Sequence, residues 1–238
     1  IFATPTIAGI AANRRSQDQA IIPQHMMTGN VPFLPVQEDF FAQELVNKNH
    51  YNQSMWFIPT FKLSHQDKEK LKNCLKSIYH YHDTLRLRYD LYRSSSNSNK
   101  VNGPTIPVVQ YYHDGNPFFW EEIVIDTWHD DILFREGTKI QQGLDILNGP
   151  TSRVAWFESK DGYQGMLWVV HHLLIDGVSW RILLDDLNTL FGNAQLPDKT
   201  HSYQEFSNYL RHRDNFSEVI NYYQNIRKMD YSNFKLEN

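Results

Sequence analysis

The chain has 238 residues, 41% hydrophobic and 14% aromatic, enough to build one large domain or two small ones around a substantial core. A formal net charge of −4 leaves no basic footprint for nucleic acid, no apolar run approaches a membrane span, and no signal peptide opens the sequence. A single cysteine, Cys74, excludes an internal disulfide and fits a reducing cytoplasm.

In chain order, Pro5 suits the first turn of a short amphipathic helix, with Ile7, Ile10 and Ala11 at helical spacing. Residues 13–30 are polar without sustained periodicity and read as a linker. Pro32 and Pro35 set up a helix over Val36–Asn47, with Phe40, Phe41 and Leu45 as its core stripe. A strand runs through Met55, Trp56 and Phe57. Ser64-His65-Gln66-Asp67 has capping-box spacing and starts a helix to Tyr81. Leu71, Leu75, Ile78 and Tyr79 make the buried face of that helix, and Cys74 beside them reads as a small core residue rather than a nucleophile. Leu85–Leu91 alternates as a half-buried strand. Ser94–Pro104 is a Ser/Asn-rich loop, and Pro107–Tyr112 and Glu122–Ile125 are short strands.

Asp130–Leu147 has a helical pattern interrupted by Gly137 and Gly143. Thr151–Glu158 and Met166–His172 form a hairpin around the turn residues Lys160-Asp161-Gly162. A helix over Asp176–Phe191 follows, then one from the capping box Ser202-Tyr203-Gln204-Glu205 to His212, and a last over Phe216–Arg227. Strands and helices interleave without regular βαβ alternation, which predicts an α+β fold with a mixed β-sheet covered by helices.

The run Val169-Val170-His171-His172-Leu173-Leu174-Ile175-Asp176-Gly177-Val178-Ser179-Trp180 concentrates the chemistry. Two histidines close an apolar strand, and an Asp-Gly turn opens an amphipathic helix. Adjacent strand residues point to opposite faces, so one imidazole faces a cavity and the other packs behind it. The same divergence argues against His171, His172 and Asp176 as a metal site. His80-Tyr81-His82 reads as a helix terminus with surface histidines.

His171-His172-x-x-x-Asp176-Gly177 resembles the signature of the condensation superfamily of nonribosomal peptide synthetases, and the continuation Val178-Ser179-Trp180-Arg181-Ile182-Leu183-Leu184 resembles its epimerization branch. Val31–Phe41 resembles the opening motif of that branch, with Asp39 where a Trp is usual, and His50–Ser54 resembles its next segment. His82-Asp83 with Leu85–Tyr89 resembles a further family segment, and residues 1–12 resemble the C-terminal remnant of a peptidyl-carrier domain.

The resemblance implies that residues 31–238 form the N-terminal lobe of an epimerization or condensation domain, a chloramphenicol-acetyltransferase-like lobe. A second, C-terminal lobe would complete a V with the active site between the two. In the epimerization branch His172 is the base that takes the Cα proton of a carrier-tethered thioester, and His171 is structural. The opposite face is served by a glutamate of the second lobe. Arg86 pairs with Asp176 in that reading, the alternative being that Arg86 and Arg88 are solvated strand-face charges. Gly177 allows close backbone approach or an unusual dihedral, and Ser179 and Trp180 form a packing and positioning pair. Amides of the following helix aim at a developing enolate oxygen. No cofactor is bound directly, since the substrate arrives on the 4'-phosphopantetheine of an upstream carrier domain. The partners are that carrier, the second lobe and neighbouring synthetase modules. Two alternatives share the fold: a condensation domain that uses the same histidine for peptide bond formation, and a carrier-docking module without catalysis.

Overall fold

The computed structural model describes residues 22–91, 108–115 and 118–212. The carrier-like segment 1–12, the loop at Ser94–Pro104 and the helix expected at Phe216–Arg227 lie outside them. The elements are β1 (Gly29–Val31), α1 (Pro35–Ala42), β2 (Asn52–Phe57), α2 (His65–Tyr81), β3 (Leu87–Leu91), β4 (Val108–Tyr112), β5 (Trp120–Ile125), α3 (Asp130–Gln142), β6 (Ser152–Ser159), β7 (Gln164–His171), α4 (Gly177–Phe191) and α5 (Tyr203–His212). Short 3₁₀ turns lie at Lys48–His50 and Asp83–Arg86.

Two sheets form, a three-stranded one in the order β1-β4-β3 and a four-stranded one in the order β2-β7-β6-β5. All pairings are antiparallel except β5 with β6, so the larger sheet is mixed, as expected. The β6–β7 hairpin turns where Gly162 holds φ at +96°, a conformation that favours glycine.

Alternation along the hairpin feeds two hydrophobic clusters. Val154, Trp156, Met166, Trp168 and Val170 pack with α2 (Leu71, Leu75, Ile78, Tyr79) and α4 (Trp180, Leu183, Leu187). Ala155, Phe157, Leu167 and Val169 belong to a second cluster with Ile140 of α3 and with Leu144. A sheet buried on both faces explains why these strands read as nearly continuous apolar runs. Cys74 is buried at the α2 face. The helix starts are fixed by their caps: Ser64 and Asp67 exchange backbone and side-chain hydrogen bonds at α2, and Ser202 and Glu205 do so at α5.

Several elements are shorter than their patterns predict. α1 stops at Ala42 rather than Asn47, because Gln43 turns extended and the Lys48 ammonium reaches back to the carbonyls of Phe40, Phe41 and Gln43. Leu45 is therefore 37% exposed instead of completing a core stripe. α3 ends at Gln142, and Asp145 turns the chain by accepting the amides of Leu147 and Asn148. Residues 83–86 are a 3₁₀ turn rather than the start of the strand. His82 is half-buried and its Nε2 lies 2.6 Å from Asp186 Oδ2, so it is not the surface histidine expected there.

Candidate active site

β7 lies in the middle of the larger sheet, and its last residue, His171, pairs in register with Asn52 at the start of β2. His172 follows in the turn, its amide still bonded to the Tyr51 carbonyl at 2.8 Å. The two imidazoles part company here. His171 is fully buried, with Nε2–H donating to the Lys48 carbonyl (2.8 Å) and Nδ1 accepting the Leu173 amide (3.2 Å). Its ring stands edge-on to Phe40. Burial pushes its pKa down to about 4, so it is a neutral packing element at ordinary pH.

His172 is half-buried and stacks on Tyr51, with ring centroids 5.1 Å apart and planes 16° from parallel. Its Nδ1 lies 2.7 Å from the Ile175 carbonyl, which only accepts, so Nδ1 carries the proton. In the neutral ring Nε2 then holds the lone pair. That atom lies 3.2 Å from the Gln53 amide nitrogen, and the Gln53 oxygen accepts the Trp180 indole N–H at 3.1 Å.

His172 borders a cavity of about 500 Å³ that is also lined by Gln37, Asp39, Tyr51, Asp176, Ser179 and Tyr203. Gln37 is buried and organises one wall: its amide donates to Gln110 Oε1 (2.7 Å), and its oxygen accepts the Leu34 amide (3.1 Å) and the Tyr203 hydroxyl (2.7 Å). Burial raises the Tyr203 phenol to about 12, so it is a hydrogen-bonding group and not an acid here. Asp39, which stands where the resembling motif has Trp, is exposed at this cavity, and its carboxylate accepts the Gln43 side-chain NH₂ at 2.8 Å. The wall thus joins one imidazole capable of taking a proton to neutral amides, a phenol and exposed carboxylates.

Arg86 and Asp176 are not partners. Arg86 is 1% exposed, pairs with Asp83 three residues away, and donates to the carbonyls of Met27 (2.8 Å) and His113 (3.2 Å). The 3₁₀ turn makes this possible by bringing positions 83 and 86 onto one side. Arg88 is buried as well and donates to Leu87 O (3.0 Å) and to the Thr151 hydroxyl, so neither arginine is a solvated strand-face charge.

Asp176 is exposed and caps α4: its Oδ1 accepts the Ser179 amide (2.7 Å) and hydroxyl (2.6 Å). The Ser179 hydroxyl and then its amide hold the Asp176 carboxyl below the usual range. This carboxylate occupies the first turn of α4, so the amides expected to face an enolate oxygen already serve their own N-cap. Ser179 is half of a capping box, and Trp180 is buried edge-on to Trp168 at 5.4 Å. Gly177 needs neither an unusual dihedral nor a close approach. Its φ is not positive, and a Cβ there would meet nothing within 4 Å.

Sequence reasoning passed over Gln53, Tyr51 and Gln37. Tyr51 and Gln53 stood inside the His50–Ser54 segment, but nothing local revealed that β2 would bring them 119 to 121 positions along the chain to His172. Among the described residues no three His, Cys, Asp or Glu side chains are placed to hold a metal ion. Nor is any helix there long and apolar enough to cross a membrane.

The chain is similar to known proteins in sequence and fold. The chain is 30% identical over 230 residues to a plipastatin synthase component of Bacillus subtilis (strain 168), covering 92% of this chain and 8% of that protein. It superposes on the epimerization domain from the third module of tyrocidine synthetase B with a TM-score of 0.72 at 23% identity, covering 90% of this chain and 48% of that one. The condensation domain of the monacolin K polyketide synthase matches with a TM-score of 0.61 at 14% identity, covering 85% and 41%. Thus the chain spans less than half of either structure and a small part of its curated relative. A family model described as the condensation domain matches residues 27–230, which include both sheets and the cavity beside His172, and the chain belongs to that family.

Proposed function

We propose that this chain is the N-terminal lobe of an epimerization domain in a nonribosomal peptide synthetase, acting on an L-aminoacyl or peptidyl thioester. The observation that carries the reading is His172, a cavity-facing imidazole whose Nδ1 proton is committed to Ile175, leaving Nε2 as the basic atom. A thioester acidifies the adjacent Cα–H, and a neutral imidazole is suited to accept that proton and to return it. Inversion requires a donor on the opposite face, the role of a glutamate of the second lobe in this reading. His171 keeps its neighbour's backbone in place and does no chemistry. Likeness to an epimerization domain and the Gly177-Val178-Ser179-Trp180 continuation support this branch.

The substrate would arrive on the phosphopantetheine of a peptidyl-carrier domain, whose tail we place at residues 1–12, with a linker that ends before β1 and so short of the 13–30 expected, since Gly29 and Asn30 already pair with β4. A second reading, peptide bond formation with His172 assisting an attacking amine, draws on the family model and on the likeness to a condensation domain. The test loads an L-aminoacyl pantetheine thioester onto the synthetase that contains this chain and follows solvent deuterium into Cα. Uptake is expected, and His172→Ala should lower its rate by about 10²–10⁴-fold. Absence of uptake, with peptide formed once an acceptor thioester is supplied, would assign the chain to condensation.

A further inference from the structure

Trp180, Gln53 and His172 form a hydrogen-bonded line whose direction is set at one end. The indole N–H of Trp180 can only donate, so the Gln53 atom 3.1 Å away is the amide oxygen. The Gln53 NH₂ group is then the atom that faces His172, and it can only donate to Nε2 at 3.2 Å. The Ile175 carbonyl can only accept, which independently puts the ring proton on Nδ1. Two fixed ends, one donor-only and one acceptor-only, thus agree on a single arrangement of the amide and the imidazole, with no orientation left to choose. Trp180 is 5% exposed and braced by Trp168, so the donor end is rigid.

We infer that Gln53, oriented by Trp180, is a positioning residue for His172: it holds the imidazole ring with Nε2 unprotonated and aimed along one direction. The inference rests on the reading of His172 as the base. The amide is a replaceable donor, since an incoming C–H or N–H can take its place at the Nε2 lone pair. It shields the lone pair from water between turnovers without contributing a proton. The line does not depend on the epimerization branch, because a base that assists an amine needs the same nitrogen free. Tyr51, stacked on the ring face, supplies the remaining restraint.

Gln53→Glu separates this role from a merely structural one, because it keeps the shape and the Trp180 hydrogen bond but turns a donor toward Nε2 into an acceptor. A carboxylate there favours a proton on Nε2 and removes the base. The ring nitrogens of His172 are read by ¹⁵N NMR of the histidine-labelled full chain at pH 8, assigned with His172→Gln. The expected wild-type spectrum has a protonated Nδ1 and an unprotonated Nε2, and in Gln53→Glu both nitrogens carry protons. In the synthetase, Gln53→Glu should lower kcat for Cα exchange at least tenfold while KM changes less than twofold. Gln53→Met, which offers neither donor nor acceptor amide, should give a smaller kcat loss and serves if the glutamate variant fails to fold. A proton on Nε2 in the wild type would overturn the inference. So would unchanged ring signals in Gln53→Glu, or in Gln53→Met a kcat equal to wild type. Absent Cα exchange with the expected spectra would instead overturn the epimerase reading and leave the clamp standing.

Discussion

The charged and polar groups of this chain fall into two regions that treat the same residue types differently. In the dry region, Arg86 meets Asp83 at the bend before β3, and His171 meets the Lys48 carbonyl under α1. In the open region, one residue past β7, His172 and Asp176 border the cavity. Each buried group is held by backbone carbonyls or a buried counter-charge, so it fixes chain segments and faces no cavity among the described residues. His172 keeps one unprotonated nitrogen, met by the Gln53 amide, and Asp176 spends its carboxylate on a helix end. Adjacency in sequence therefore says little about role. What separates the two histidines is the end of the strand between them: the last ladder residue points into the core, and the next one is released to the turn.

This contrast breaks most visibly at Arg86. Arg86 is the more buried of two cations on Asp83, whose other oxygen keeps the Lys199 ammonium at 3.2 Å, so Arg86→Ala should cost about 3 kcal/mol of unfolding free energy, the low end for a broken buried pair. Urea denaturation measures it, and a loss below about 1 kcal/mol would mean that Lys199 alone satisfies Asp83. Next in size is the acid sensitivity contributed by His171. Its native pKa of about 4 lies below the ordinary 6.5, so the unfolded chain binds a proton that the native state refuses. Stability from this group is intact above about pH 6.5 and falls as pH drops toward 4, by about 3 kcal/mol in all. His171→Leu should flatten the urea midpoint against pH over that window relative to wild type. Equal slopes in the two proteins would show that the His171 site admits water and a proton.

Much of this was legible locally. Ser64 with Asp67, and Ser202 with Glu205, announced their helices because a cap is a contact between residues three apart. The β6–β7 hairpin was legible for the same reason, with its apolar strands and a glycine turn adjacent in the chain. The histidine pair was readable as a strand end, but alternation is not what parts the two rings, since His172 lies one residue past the ladder. What escaped depends on distance or on a broken period. Arg86 looked like a strand residue because Leu85, Leu87 and Tyr89 alternate, yet the 3₁₀ turn lets Leu85 stay buried while Arg86 folds back onto Asp83. Lys48 ended α1 early through side-chain bonds to carbonyls five to eight residues back, a cap that no helical pattern encodes. Gln53 could be matched to His172 only once β2 and β7 were in register.

Asp176 provides the mildest test and the one that best isolates the open region. As a buried partner of Arg86 it would be worth several kcal/mol. As an exposed N-cap it contributes what caps contribute, so Asp176→Ala should lose about 1 kcal/mol and Asp176→Asn a few tenths at most. Asparagine keeps an oxygen for the Ser179 amide, whereas it could not keep an ion pair, and the two variants together separate the roles. The catalytic consequence should also be graded. Ile175, whose carbonyl accepts the His172 Nδ1–H hydrogen bond, immediately precedes the cap, so a frayed α4 start loosens the carbonyl that sets the tautomer. Cα exchange should therefore drop several-fold in Asp176→Ala and stay near wild type in Asp176→Asn. A collapse of exchange in the asparagine variant with stability unchanged would place the Asp176 charge itself in the chemistry, and the line between the structural and reactive sides of this turn would have to be redrawn one residue further along.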